Sequence, residues 1–137
     1  YLNYIIMKNL NYNVSKHFKI NEFACKDGSN VPEQYLPNVF KLATQLEIIR
    51  AHLGAPIIIN SGYRTKMYNK RVGGAVASQH LTASASDIVV MGFSPHFVFT
   101  TIRSLMRSGH IAGGCVILYK NFVHYDIRGG MLFLDKR

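Results

Sequence analysis

At 137 residues the chain has room for one domain around a single hydrophobic core and not for two comfortable ones, so 1–137 is read as one domain. An apolar share of 48% beside 17% charged residues excludes a disordered chain, and no stretch approaches the length of a membrane span. The 16 Lys and Arg against 7 Asp and Glu give a net charge of +9, which suits a polyanionic neighbour, either nucleic acid or an anionic wall, although the basic residues are scattered rather than blocked.

In chain order, Tyr1–Met7 is apolar but has neither a basic flank nor a cleavage site, so it does not read as a signal peptide. Met7-Lys8-Asn9 would make an ordinary start, and residues 1–8 are taken as a leader or appended segment. Residues 9–32 are polar, broken by Gly28-Ser29-Asn30 and Pro32, and are expected to wrap the domain as loop and short turns. From Pro37, suited to a first helical position, Val39, Leu42, Ala43, Leu46, Ile49 and Leu53 recur at three- and four-residue spacing until Gly54 stops the run. That periodicity predicts a core helix without a functional face, and His52 near its end is favourable with the helix dipole.

Pro56–Asn60 then reads as a buried strand that delivers Ser61-Gly62-Tyr63-Arg64 at its exit. Residues 65–77, with Tyr68, Asn69 and Gly73-Gly74, are expected to form a short helix and a tight loop. Ser94-Pro95 caps and opens a second helix whose apolar face is Phe97, Val98, Ile102, Leu105 and Met106, ended by Gly109. Cys115–Tyr119, Asn121–Ile127 and Met131–Leu134 read as strands, with Gly129-Gly130 as a hairpin signal. Cys25 and Cys115 are isolated, and the lack of any Cys-x-x-Cys excludes a structural zinc knuckle. Two buried thiols are the simpler reading, a disulfide the other.

Two histidines and a carboxylate carry the chemistry. His80, Asp87 and His124 would make a zinc set with three protein ligands, which leaves a fourth position for water and is therefore catalytic rather than structural. Asp87 opens the apolar run Asp87-Ile88-Val89-Val90, and in an extended segment His124 and Asp126 share a face. Spacing alone is a common coincidence; carboxylates are scarce here, which makes it less of one. His17, His96 and His110 lack partners at ligand spacing and are read as surface residues.

Six segments extend the pattern in order: Ser61-Gly62-Tyr63-Arg64-Thr65, Tyr68-Asn69, Val72-Gly73-Gly74-Ala75, Ser78-Gln79-His80, Ala85-Ser86-Asp87-Ile88 and Phe122-Val123-His124-Tyr125-Asp126. With Phe18-x-x-x-Glu22-Phe23-x-Cys25 upstream, they resemble the zinc D-Ala-D-Ala carboxypeptidase family of bacterial and phage cell-wall peptidases, whose wider group includes lysostaphin-type peptidases and the hedgehog signalling domain. The resemblance covers about residues 17–129. It implies an α+β fold, a small antiparallel sheet flanked by two main helices with the zinc site on the sheet edge. It also implies Zn²⁺ as cofactor, a peptidoglycan stem peptide as substrate, Arg64 in the active site, and Ser78 and Gln79 lining the groove. A guanidinium there can hold a carboxylate or stabilise a developing oxyanion.

Two positions depart from the family. Ala83 stands where a Gly is usual, so the turn has another shape or carries strain. Asn121 stands three positions before His124, where many members place an acidic general base, and leaves Asp126 as the candidate base; its other reading is a partner of His124 or an ion pair with Arg128. The expectation is an active zinc peptidase, monomeric, cytoplasmic as synthesised and acting on the wall, as would suit a phage enzyme. The alternatives are a wall-peptide binder of the same fold without turnover, and a basic nucleic-acid-binding domain.

Overall fold

A computed structural model describes residues 11–137; the leader assigned to residues 1–8 lies outside them. After an irregular segment with a 3₁₀ turn at Ile20–Phe23, the chain forms helix α1 (Leu36–Leu53), strand β1 (Ile57–Ser61), short helix α2 (Lys66–Arg71), a 3₁₀ turn (Gln79–Thr82), strand β2 (Ala85–Val90), helix α3 (Pro95–Arg107) and strands β3 (Gly114–Leu118), β4 (Val123–Asp126) and β5 (Met131–Asp135). The fold is α+β, as expected, but the sheet is neither small nor wholly antiparallel. Its five strands lie in the order β1-β2-β4-β3-β5, and β5 runs parallel to β3. Gly129-Gly130 therefore reverses the chain without making a hairpin. The chain crosses the start of β3 instead, where a side chain on Gly113 would strike the Gly130 carbonyl, 2.3 Å from an ideal Cβ.

The helix signals hold. Gly54 closes α1 in the left-handed region at φ 66°, with its N–H on the Arg50 carbonyl. Ser94 Oγ accepts the Phe97 N–H at the start of α3. On α3 the apolar face differs by one residue: Phe97 is exposed and stacks on Phe93, whereas Phe99 is buried beside Val98, Ile102, Leu105 and Met106. Both cysteines are buried and free.

Strand alternation gives the sheet two unlike faces. Ile57 and Ile59, Ile88 and Val90, Val123 and Tyr125, and Val116 and Leu118 join the buried residues of α1 and α3 in one core. The opposite face carries a row in register across all five strands, Ser61, Asp87, His124, Ile117 and Leu134. A bulge between Ile59 and Ser61 brings Ser61 opposite Asp87. One face packs; the other is free for chemistry.

Candidate metal centre

Asp87 and His124 are cross-strand partners on β2 and β4, so the site lies on the sheet's open face rather than at its edge. His80 reaches them from the 3₁₀ turn above. Ser78 Oγ caps that turn by accepting the His80 N–H at 3.1 Å, and the Arg64 N–H donates to the His80 carbonyl at 2.9 Å. The turn ends at Ala83, which keeps a left-handed conformation at φ 58°. The expected strain is thus present, and the turn has the shape a glycine would take.

The three side chains are buried and converge. His80 Nε2 lies 3.3 Å and His124 Nδ1 3.1 Å from Asp87 Oδ1, and the three atoms lie within 4.8 Å of one another. Ligands at zinc distances of about 2.1 Å on a tetrahedron stand about 3.4 Å apart, so two of these separations match a shared ion. The outward nitrogens say more. His80 Nδ1 is 2.7 Å from the Gly62 carbonyl, which can only accept, so that nitrogen carries the proton. His124 Nε2 is 2.7 Å from Asp126 Oδ2, also an acceptor. In the neutral imidazoles, three lone-pair atoms therefore face one another with no hydrogen between them, an arrangement that calls for a cation.

Gly62 is required for this: a Cβ there would lie 2.8 Å from the Phe23 backbone. In the metal-free protein, burial works against the charged form of both Asp87 and His124, but hydrogen bonds and charge outweigh it, from His124 and His80 at Asp87 and from Asp126 and then Asp87 at His124. The Asp87 carboxyl is held well below the usual range, and the His124 imidazole is raised.

Asp126 has no exposure. Its Oδ1 accepts the Cys115 N–H at 3.1 Å and Arg128 Nε at 2.9 Å, and its Oδ2 accepts Arg128 Nη2 at 2.7 Å besides His124. Burial opposes its charge, but His124 and Arg128 hold its pKa well below the usual range. Close approach of β3 depends on Gly114, whose ideal Cβ would sit 1.8 Å from the Asp126 carbonyl. Both oxygens of Asp126 are engaged away from the cleft.

Arg64 is equally committed. Its Nη2 donates to Asp87 Oδ2 at 2.9 Å, Nε to Ser61 Oγ at 3.0 Å and Nη1 to Asn69 Oδ1 at 3.2 Å. Asn69 is buried and also donates to the Ala75 carbonyl, and Gly74 makes room for it, since a Cβ at that position would meet Asn69 Oδ1 at 2.0 Å. The Asn69 and Gly73-Gly74 motifs thus brace the guanidinium that grips the second oxygen of Asp87.

These residues floor a cleft of about 650 Å³. Arg64, Ser78, Gln79, His80, Asp87 and His124 line it, and the segments flanking β3–β5 add Tyr119, Phe122, Arg128 and Lys136; of these four, the sequence had offered Phe122 only within the His124 motif and Arg128 only as an ion-pair partner of Asp126. The signal for Tyr119 and Phe122 was their placement around the turn just before His124. All 7 carboxylates of the chain fall within the described residues, and Asp87 alone among them lines the cleft. Asn121 lines a separate 180 Å³ pocket with Ile88, Phe93 and Val98.

A mixed sheet carrying a buried His-Asp-His group in an open cleft, with both imidazole tautomers fixed from behind, is the design of a metal-dependent hydrolase. A profile of the family described as Peptidase M15 matches residues 16–126, and the chain belongs to that family; it is a metallopeptidase. No curated protein matches the chain.

Proposed function

We propose that the protein is a zinc-dependent peptidase that cuts peptidoglycan stem peptides, with His80, Asp87 and His124 as the metal ligands. The observation that carries the metal is the convergence of three lone-pair atoms whose outward N–H groups are pinned by Gly62 and Asp126. Two imidazoles with one carboxylate suit zinc better than a hard oxygen-seeking cation. Zinc bound there would polarise the scissile carbonyl and acidify a water.

The residues of this chain do the rest. Arg64 keeps Asp87 single-ended by holding Oδ2, so that Oδ1 points inward. Asp126 acts through His124, fixing the ring with its proton on Nε2, rather than on the attacking water. Ser78 builds the turn that presents His80, and Gln79 borders the groove. Of the cations lining the cleft, Arg64 is paired with Asp87 and Arg128 with Asp126, which leaves Lys136 to meet a free carboxylate of the kind that stem peptides bear.

One observation favours a second reading, binding of wall peptide without turnover: the cleft offers no carboxylate beyond Asp87 as general base. A positioned base contributes about 10²–10⁴-fold, so an active enzyme lacking one would be slow, its water's proton passing to solvent or directly to the departing amine. Zinc analysis of the purified protein and digestion of isolated sacculi separate the cases. The proposal expects stoichiometric zinc and new amino termini, both lost on chelation. Zinc and wall binding without new termini would establish the second reading. A protein that takes no zinc but binds DNA with steep salt dependence would sink both.

A further inference from the structure

Three polar side chains that line the cleft, Gln79, Tyr119 and Lys136, make no side-chain hydrogen bond among the described residues, and of these Tyr119 alone carries its polar atom on a rigid ring. Of its polar side chains, Arg64 spends three nitrogens on Ser61, Asn69 and Asp87, Ser78 caps the His80 turn, and Arg128 is paired with Asp126. Tyr119 is different. It follows Ile117 by two residues and so shares its face, and Ile117 is the cross-strand partner of His124. The Tyr119 N–H donates to the Phe122 carbonyl at 3.0 Å, closing the β3–β4 connection. The two rings stack at 4.6 Å with their planes 17° apart, which holds the phenol in the cleft wall that both residues line. Its hydroxyl makes no hydrogen bond among the described residues, in contrast to Tyr125, whose hydroxyl is spent on the Ala112 carbonyl in the core.

We propose that Tyr119 is a catalytic residue whose phenolic O–H donates to the oxygen of the scissile carbonyl as negative charge builds there. The proposal rests on the peptidase reading above and assigns a role that Arg64, committed to Asp87, is poorly free to fill. The bookkeeping of the step is simple. The oxygen of water adds to the carbonyl carbon, and the π pair moves onto the carbonyl oxygen, where the phenol meets it. The pair returns as the C–N bond breaks; one proton of the added water goes to the departing amine, and the other is released to solvent from the new carboxyl group. Tyr119 keeps its own proton throughout. The environment supports a neutral donor: burial and then the charge of Asp87 raise its pKa, with Arg64 opposing, so the hydroxyl stays protonated and lies within the field of both groups.

Tyr119→Phe tests this, since it keeps the ring and its stacking on Phe122. On a muropeptide that the wild type cuts, kcat should fall about 10²–10³-fold, the cost of losing one oxyanion donor, with KM nearly unchanged. Zinc stoichiometry and melting temperature should match the wild type. Phe122→Leu, which removes the stack but leaves the hydroxyl, should give a smaller loss of kcat. Unchanged kcat in Tyr119→Phe, a rise in KM alone, or loss of zinc would each overturn the assignment while leaving the peptidase reading intact. A wild-type protein that holds zinc and cuts no muropeptide would overturn both.

Discussion

The two imidazoles of the site are held by unlike means. His80 rests its outward N–H on a backbone carbonyl, that of Gly62, in a turn braced by Ser78 and Arg64. His124 rests its own on Asp126, an ionised carboxylate buried by Arg128 and the Cys115 N–H. A carbonyl only orients the ring. A carboxylate also makes it a stronger donor, and its charge must be balanced, which Arg128 does from a side chain that is 41% exposed. The sheet can supply a charged support because Asp126 lies two residues from His124 on the same face. The outward N–H of His80 is met only by main chain, at Gly62 just after β1.

Removing a ring should erase the difference. His80→Ala and His124→Ala leave two ligands each, and both should abolish stoichiometric zinc together with hydrolysis, measured by metal analysis after dialysis. A next step down separates the supports. Asp126→Asn keeps the shape and removes the charge, and should weaken zinc about 10–100-fold, the usual cost of losing such a partner. Titration with a competing chelator reads it. Full hydrolysis with an unchanged zinc affinity would show that His124 needs no charge behind it; abolished hydrolysis at full zinc occupancy would instead make Asp126 the base.

The contrast also sets a pH dependence. In the metal-free protein Asp87 and Asp126 have lowered pKa values, so their contribution to stability is complete above about pH 4, the unfolded value, and is lost as pH falls through their folded ones. His124 has a raised pKa, so its contribution is complete below about pH 6.5 and is lost as pH rises through its folded value. Stability from these groups is therefore greatest between the two. Zinc needs the neutral imidazole, so its stabilisation grows with pH as that of the proton declines. The rise in melting temperature on saturation with zinc should be larger at pH 8 than at pH 6; equal increments would place the metal away from His124.

Much of this was legible in the residues, for reasons that can be named. The spacing from Val39 to Ile49 with Gly54 behind it encodes α1 because helix burial is periodic and its stop is local. The shared face of His124 and Asp126 follows from strand alternation alone. What alternation cannot give is which of two oxygens faces the cleft, and there Arg128 and Cys115 decide. The parallel pairing of β5 escaped notice because Gly129-Gly130 signals a reversal, not which neighbour the returning strand will meet. Phe97 and Phe99 are two apart on one helix, and only the packing of α3 tells which is covered. His80 and Asp87 were readable through the company of their motifs rather than their spacing, since the turn between them is set by contacts to Gly62 and Arg64 far back in the chain.

The smallest effect concerns Ala83, the residue that shapes the His80 turn. A left-handed conformation costs an L-residue about 1–2 kcal/mol, which Gly would avoid. Yet the Ala83 methyl is buried in the core cluster, and burying one such group is worth about 0.8 kcal/mol. Gly also has more freedom to lose on folding, roughly 0.5–1 kcal/mol. The terms nearly cancel, so Ala83→Gly should leave stability within about 0.5 kcal/mol of the wild type by denaturant unfolding, with zinc affinity unchanged. This explains how the chain keeps a glycine-shaped turn without the glycine. A gain well above that figure would mean that the methyl contributes nothing to the core, and that the turn is held in strain by the proposed metal ligands on either side of it.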